Sequence, residues 1–251
     1  MAHSVIGDDG SVVSFEPAAD EYDTARPSYP AGVFVALGTL NGLRVLDIGA
    51  GTGIATRTLL ARGARVIAVD RGHEMLRRAV AHSPTLPAMV ADGVALAVRV
   101  GSIDLACFAQ SWHWLDPGTR VSELHRVLRP GGRWAGWWSH ARADAEAWFD
   151  RYWSTIERWC PGTHRAQRDT DWGATLMGGF DVGPRLVVPW VREIPLGDWM
   201  TDQASHSYIL GLPPEARTQL LGELRAIVSQ SFPSGAMSVQ YETWLWIATR
   251  A

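Results

Sequence analysis

The order of apolar and polar positions predicts alternating strands and helices through the first half of the chain. Val45, Leu46 and Ile48 form a short buried run that stops at Gly49. Ile54–Ala61 has helical character and ends at Gly63, and a second run, Val66–Val69, closes in Asp70. Strand, helix and strand at this spacing make a βαβ unit, and open α/β sheets bind ligands at the carboxyl ends of such strands. The alternation continues with a helix from Arg71 to about Ala81 and strands over Ala88–Val90 and Ser102–Gln110. Pro117–Leu128 is an amphipathic helix with Val121, Leu124, Val127 and Leu128 on one face. A turn over 129–132 then leads to a strand over Arg133–Trp138. Upstream, residues 1–18 read as irregular; a helix is expected before Pro27 and another over 31–40.

Past Ser139 the pattern changes. Ala141–Cys160 is a helix carrying Trp148, Phe149, Tyr152, Trp153, Ile156 and Trp159, stopped by Pro161. A short helix over 171–179, a strand over Arg185–Leu196, helices over Asp198–Leu210 and Glu215–Phe232, and a last strand over Val239–Thr249 complete the expectation.

The chemistry concentrates at the first strand tip. Gly49, Gly51 and Gly53 stand at alternate positions, so backbone amides there can approach a ligand without a Cβ in the way. A dinucleotide fingerprint needs a small residue where this chain has Ile54 or Thr56, so a nicotinamide cofactor fits poorly. Asp47, two residues before the first glycine, would repel a pyrophosphate and suits an ammonium-bearing ligand. Asp70, at the end of the second strand, is placed to accept from ribose hydroxyls.

The run Asp-Ile-Gly-Ala-Gly-Thr-Gly over 47–53, with its downstream acid, resembles the first motif of class I S-adenosylmethionine (SAM)-dependent methyltransferases. That resemblance implies SAM as cofactor and an α/β fold: a Rossmann-like, doubly wound seven-stranded sheet, mostly parallel, with the last strand antiparallel and helical cap insertions. It implies one domain over 1–251. Residues 1–40 would form a helical lid, 41–139 the SAM-binding core, 140–182 and 198–232 the cap, and 185–196 and 239–249 the final strands. Tyr-x3-Arg-Pro-x-Tyr-Pro, from Tyr22, is similar to the segment preceding this motif in methyltransferases like the trans-aconitate enzymes. By that resemblance Tyr22 and Arg26 touch the cofactor, with Asp47 at its amino end, Gly49, Gly51 and Gly53 beneath it, and Asp70 on its ribose. Arg71 joins the same set, Met75 lies near the adenosine, Asp92 and Gly93 flank the adenine, and Gln110 closes the cofactor list. The strand tip Gln110-Ser111-Trp112-His113-Trp114 is where a methyl group meets its acceptor, and it makes His113 a candidate general base, alongside plainer readings as a packed or pocket-shaping histidine. Trp112, Trp138, His140, Trp153, Trp199 and Tyr208 are the candidate substrate contacts. The expected reaction is methyl transfer to an oxygen, nitrogen, sulfur or carbon nucleophile of a small molecule; other SAM chemistry on the same fold and a non-catalytic binding role are the alternatives.

Composition narrows the partners. The 251 residues are 47% hydrophobic and 20% charged, enough apolar mass for one large core. The net charge is −3 and no basic run can follow a phosphate backbone, which disfavours nucleic acid. There is no signal-like start and no run of membrane-spanning length, which points to a cytoplasmic protein without membrane attachment; a monomer or homodimer is the expectation, though the sequence does not show the oligomeric state. No metal-ligand spacing appears, and two cysteines build no disulfide framework. Thirteen tryptophans, most of them outside the first βαβ unit, suggest a packed cap or a pocket for a flat ligand.

Overall fold

The computed structural model describes residues 5–6, 12–13, 28–144, 146–162, 170–176 and 178–251. These divide into two compact units: 28–139 with 171–188 and 243–251, and 140–170 with 189–242 and the described residues before 28.

Strands β1 (Val5–Ile6) and β2 (Val12–Val13) pair antiparallel. The main sheet begins after helix α1 (Ala31–Ala36) with β3 (Arg44–Ile48), followed by α2 (Ile54–Ala61), β4 (Arg65–Asp70), α3 (His73–His82), β5 (Ala88–Val90) and β6 (Ile103–Ala109). Helix α4 (Arg120–Val127) leads into β7 (Leu128–Ala141). Strands β5, β4, β3, β6 and β7 lie side by side in that order and run parallel. The expected doubly wound, mostly parallel sheet is what forms. The strand order reverses between β3 and β6, the switch point at which such sheets open a ligand crevice.

Alternation along each strand sorts the core onto two faces. Val45, Val66, Leu105, Ala135 and Trp137 pack with Val33 and Phe34 of α1 and with Ala55, Leu59, Leu76 and Ala79 of α2 and α3. Leu46, Ile48, Ala106, Phe108 and Trp134 pack on the other face with Leu124 and Val127 of α4. By the same alternation Asp47 shares the face of Val45, so its carboxylate points under α2 and is wholly buried.

The approach to β7 is a wide bulge: Ile103 pairs with Leu128 and Leu105 with Arg133, so Arg129–Gly132 loop out opposite one residue. Asp104, the residue they skirt, accepts from the guanidinium groups of Arg44 and Arg129 at 2.9 and 2.7 Å. These contacts hold its carboxyl below the usual carboxylate range.

The second unit carries α5 (Ala147–Trp159), and strand β8 (Phe180–Val182) returns the chain to the first. Strand β9 (Leu186–Pro195) follows, then helices α6 (Leu196–Ala204), α7 (Ser207–Leu210) and α8 (Pro214–Ser231) and the long β10 (Ala236–Arg250). Trp148, Tyr152, Ile156, Trp199, Leu220, Leu224 and Tyr241 form its core. Within it Arg192 and Asp202 form a buried ion pair at 2.6 Å.

The expected partnership of the last two long strands holds: β9 pairs with β10, which lies beside β7. β8 adds a strand to the expected set, giving an eight-stranded sheet; it pairs antiparallel with Ala248–Arg250. Three residues are too few to show a period in sequence, and the demand of an unpaired edge is what makes Phe180–Val182 a strand. The expected helix over Asp198–Leu210 is two helices, because Ser205 turns its hydroxyl back to the Asp202 carbonyl at 2.6 Å. Among the described residues no helix is long and apolar enough to cross a membrane.

Trp134 is wholly buried, with its ring 5.4 Å from Trp112 and 6.1 Å from Phe108. Trp134→Ala is expected to cost about 3–5 kcal/mol in urea unfolding, the range for emptying a buried aromatic site. A loss under 1 kcal/mol would show that this face of the sheet is loosely packed.

Candidate active site

The bend after β3 starts with two amides on one acceptor. Gly49 and Ala50 both donate to the Val69 carbonyl, at 2.8 and 3.0 Å. Gly49, Gly51 and Gly53 all have left-handed backbones, with φ of 73°, 57° and 85°. Their surroundings differ. A Cβ on Gly49 would sit 2.3 Å from the Ser111 Cβ, and one on Gly53 would sit 3.0 Å from the Ala79 Cβ. A Cβ on Gly51 would meet nothing within 4 Å. Gly49 and Gly53 are glycines because protein packs against them; Gly51 has no such neighbour among the described residues.

Two carboxylates bracket this bend. Asp47 accepts from the Thr56 hydroxyl at 2.5 Å on Oδ2, while its buried Oδ1 has no hydrogen-bond partner among the described residues. Burial, with Asp70 as a nearby like charge, pushes its carboxyl up to about 6, against the pull of the Thr56 bond. Asp70 is half-buried. Its Oδ2 accepts from the Gly51 amide and its Oδ1 from the Gly72 amide, both at 2.8 Å. A region with two acids and one unsatisfied buried oxygen favours a ligand carrying positive charge and disfavours a pyrophosphate.

Beyond β4, exposed Arg71 is ion-paired to Asp92, whose Oδ1 also accepts from the Val94 amide at 3.2 Å. Gly93 is closely overlaid: a Cβ there would lie 2.7 Å from side-chain carbons of both Ile48 and Leu115. Met75 is buried at the start of α3, against Gly72. Asp47, Gly49, Gly51, Gly53, Asp70, Arg71, Met75, Asp92 and Gly93 therefore lie along the carboxyl ends of β3, β4 and β5. Gln110 stands at the end of β6 with a left-handed backbone, φ 59°, unusual for a residue with a side chain. Its amide donates to the Trp137 carbonyl at 2.9 Å.

The residues after Gln110 depart from the expectation. Trp112 is no pocket wall: it is wholly buried, packed on Phe108 and Trp134, with its indole N–H on Thr175 at 2.8 Å. Its size and apolar neighbours take it into the core, where its ring can meet no ligand. His113 does not have a general base's surroundings. Its Nδ1 accepts from the Trp138 indole at 3.2 Å, and burial together with the Arg120 charge lowers its pKa to about 3. Trp138 is itself nearly buried and stacks on Trp172, centroids 4.8 Å apart.

Of the remaining candidates, His140 is half-buried on β7. In the second unit Trp199 is core, packed on Trp148, Tyr152 and Tyr241. Trp153 packs edge-on against Phe149 and Tyr152, and Tyr208 lies beside His206. Tyr22 and Arg26 lie outside the described residues. Sequence reading passed over Thr56, Ser111 and Arg120. Ser111 donates to the Ile48 carbonyl and fills the space beside Gly49. Arg120 lies over the Trp112 ring, 4.7 Å from its centroid. A hydroxyl two residues into α2, on the face of the strand acid, is a signal for Thr56; nothing in the sequence announces a buried arginine on a polar helix. Among the described residues no group of three or more His, Cys, Asp or Glu is arranged to hold a metal ion.

Comparison with known proteins places this geometry. Residues 46–135 match the model of a methyltransferase domain. An uncharacterised methyltransferase of Mycobacterium tuberculosis is 34% identical over 86% of both chains. One from Schizosaccharomyces pombe is 28% identical over 85% of both. Among solved structures, a type II methyltransferase from Anaeromyxobacter dehalogenans superposes with a TM-score of 0.68 at 25% identity, covering 90% of this chain and 97% of that one. The fold is shared with a phosphoethanolamine N-methyltransferase of Haemonchus contortus solved with S-adenosylhomocysteine. That match has a TM-score of 0.55 at 18% identity, covering 95% of this chain and 60% of that one. This chain belongs to the methyltransferases. Within them it is a class I, SAM-dependent enzyme.

Two measurements check the bend. Gly49→Ala should destabilise the fold by about 2–4 kcal/mol, adding overlap with Ser111 to left-handed strain, while Gly51→Ala carries only the strain, about 1–2 kcal/mol. Equal losses in chemical denaturation would mean that the two positions are not different. Asp47, whose folded pKa lies above its unfolded value, binds its proton more tightly in the native state. Stability should therefore fall as pH rises from about 4 to 6, by on the order of 2–3 kcal/mol. Asp47→Asn should flatten that slope; an unchanged slope would place the titration elsewhere.

Proposed function

We propose that the carboxyl ends of β3, β4 and β5 hold SAM and that the enzyme methylates a small molecule. The observation that carries this reading is the contrast at the bend: of its three glycines, Gly51 is the one whose Cβ position meets no atom of the described residues, and its amide is already tied to Asp70. When bound, SAM supplies a methyl group activated on a sulfonium. The chain's own residues do the rest. Asp70 is the acceptor toward ribose hydroxyls in this reading, its carboxylate oriented by the Gly51 and Gly72 amides. Asp47, beneath the bend, adds a negative field suited to the ammonium and sulfonium charges. Asp92 is steadied by Arg71 and the Val94 amide for an exocyclic amine, over a floor kept thin by Gly93. Met75 supplies an apolar edge near the adenosine and Gln110 a polar one.

The acceptor in this reading lies at the β6 and β7 tips, beside His113, Trp138 and Gln110. Transfer needs the nucleophile, methyl and sulfur in line, and alignment with exclusion of water is the protein's main contribution. A nucleophile that carries no proton at working pH needs no base, which agrees with the state of His113. The resemblance to the trans-aconitate enzymes, whose acceptor is a carboxylate, is of this kind.

Calorimetry with S-adenosylhomocysteine and with NAD tests the reading. Saturable binding of the first and none of the second is expected. Gly51→Val should abolish binding, and Asp70→Ala should weaken it by about 1–3 kcal/mol, the loss of hydrogen bonds to a charged group. Binding that survives Gly51→Val would remove the site assignment.

A further inference from the structure

The pairing of His113 with Trp138 settles which atom of the imidazole carries the proton. An indole N–H only donates, so the atom it addresses must offer a lone pair. That atom is Nδ1, at 3.2 Å, and the proton of the neutral ring is therefore on Nε2. Taking up a second proton would set two N–H groups against each other. The ring is enclosed by Trp114, Trp172 and Trp138, with centroids 4.4, 5.7 and 6.2 Å away. Nε2 has no hydrogen-bond partner among the described residues, and the residue keeps part of its surface exposed. What the tip of β6 offers is a fixed N–H donor.

The charge nearby has one sign. Arg120 of α4 is the charged group acting on His113; the elements packed around the ring from the β6 tip, β7 and residue 172 contribute tryptophans. Arg120 is 7% exposed, its guanidinium donates to the Trp112 carbonyl at 3.2 Å, and its buried Nε has no hydrogen-bond partner among the described residues. A buried cation close to a hydrogen-bond donor favours an anion as that donor's acceptor. The pair also joins the β6 tip to β7, on the other side of β3 in the strand order from β4 and β5, which carry the proposed adenosine contacts.

We propose that the Nε2–H of His113 holds an anionic oxygen of the methyl acceptor, which makes the acceptor a carboxylate or similar oxygen anion, and that Trp138 is the positioning residue for this donor. The proposal rests on the SAM reading above and deepens it.

Side-chain 1H–15N spectra of 15N-histidine-labelled protein, saturated with S-adenosylhomocysteine, test it between pH 5 and 9. The His113 ring is assigned by its loss in His113→Gln. The expected ring stays neutral throughout, in the Nε2–H form. Sodium benzoate should shift its Nε2–H signal and benzylamine should not. Trp138→Phe, checked for folding by circular dichroism, should free the neutral ring to place its proton on either nitrogen and weaken the benzoate response by about tenfold, the loss expected when one hydrogen bond to a charged group is no longer held in place. A ring that titrates in the unmodified protein, a proton on Nδ1, a response to benzylamine alone or no response to either would overturn the proposal. So would a shift caused by S-adenosylhomocysteine to which benzoate adds nothing, because the oxygen would then be the cofactor's own. An unmoved benzoate response in folded Trp138→Phe would end the positioning role. Calorimetry reads the cofactor cradle separately: binding of S-adenosylhomocysteine with a silent His113 sinks this proposal alone.

Discussion

The bend between β3 and α2 depends on one carboxylate. Asp70 ends β4, and its two oxygens take the amides of Gly51 and Gly72, tying the first loop of the sheet to the second. That tie works only while the backbone at Gly49 and Gly51 is left-handed, with φ of 73° and 57°. A side chain at Gly49 would strike Ser111; one at Gly51 would close the space above the bend. The same few atoms thus decide whether the strands join correctly and whether a ligand has room.

Asp47 shows a second constraint, one that works against stability. Strand alternation turns it under α2, where Thr56 satisfies one oxygen and no described residue satisfies the other. A buried acid with an unmet oxygen costs free energy in the empty protein. A positively charged ligand nearby offsets that cost, which is a reason for such an acid to sit beneath a binding bend.

The tryptophans divide by neighbourhood rather than by sequence position. Trp112 and Trp134 fill the core beside α4, Trp137 fills the opposite face against Phe34 at 6.0 Å, and Trp148 and Trp199 fill the second unit. Trp138 combines packing with a polar task, since its ring stacks on Trp172 while its N–H commits His113 to a donor role. Buried indoles commonly need such a partner, and here the partner is the side chain that gains a defined chemistry from it.

The alternation of short apolar runs and amphipathic helices, and glycine at three alternate positions after an acid, were sufficient to read the parallel sheet and its bend from the sequence. These are local facts: strand and helix periods and glycine's backbone freedom act within a few residues. What tertiary structure alone decided is long-range. Whether Trp112 lines a pocket or fills the core depends on Phe108, Trp134 and Thr175, and whether His113 is a base or a donor depends on Trp138, 25 residues away. The strand Phe180–Val182 exists because β10 presents an edge to it. Burial and proton placement belong to neighbours brought together by the fold, so no reading of one segment by itself contains them.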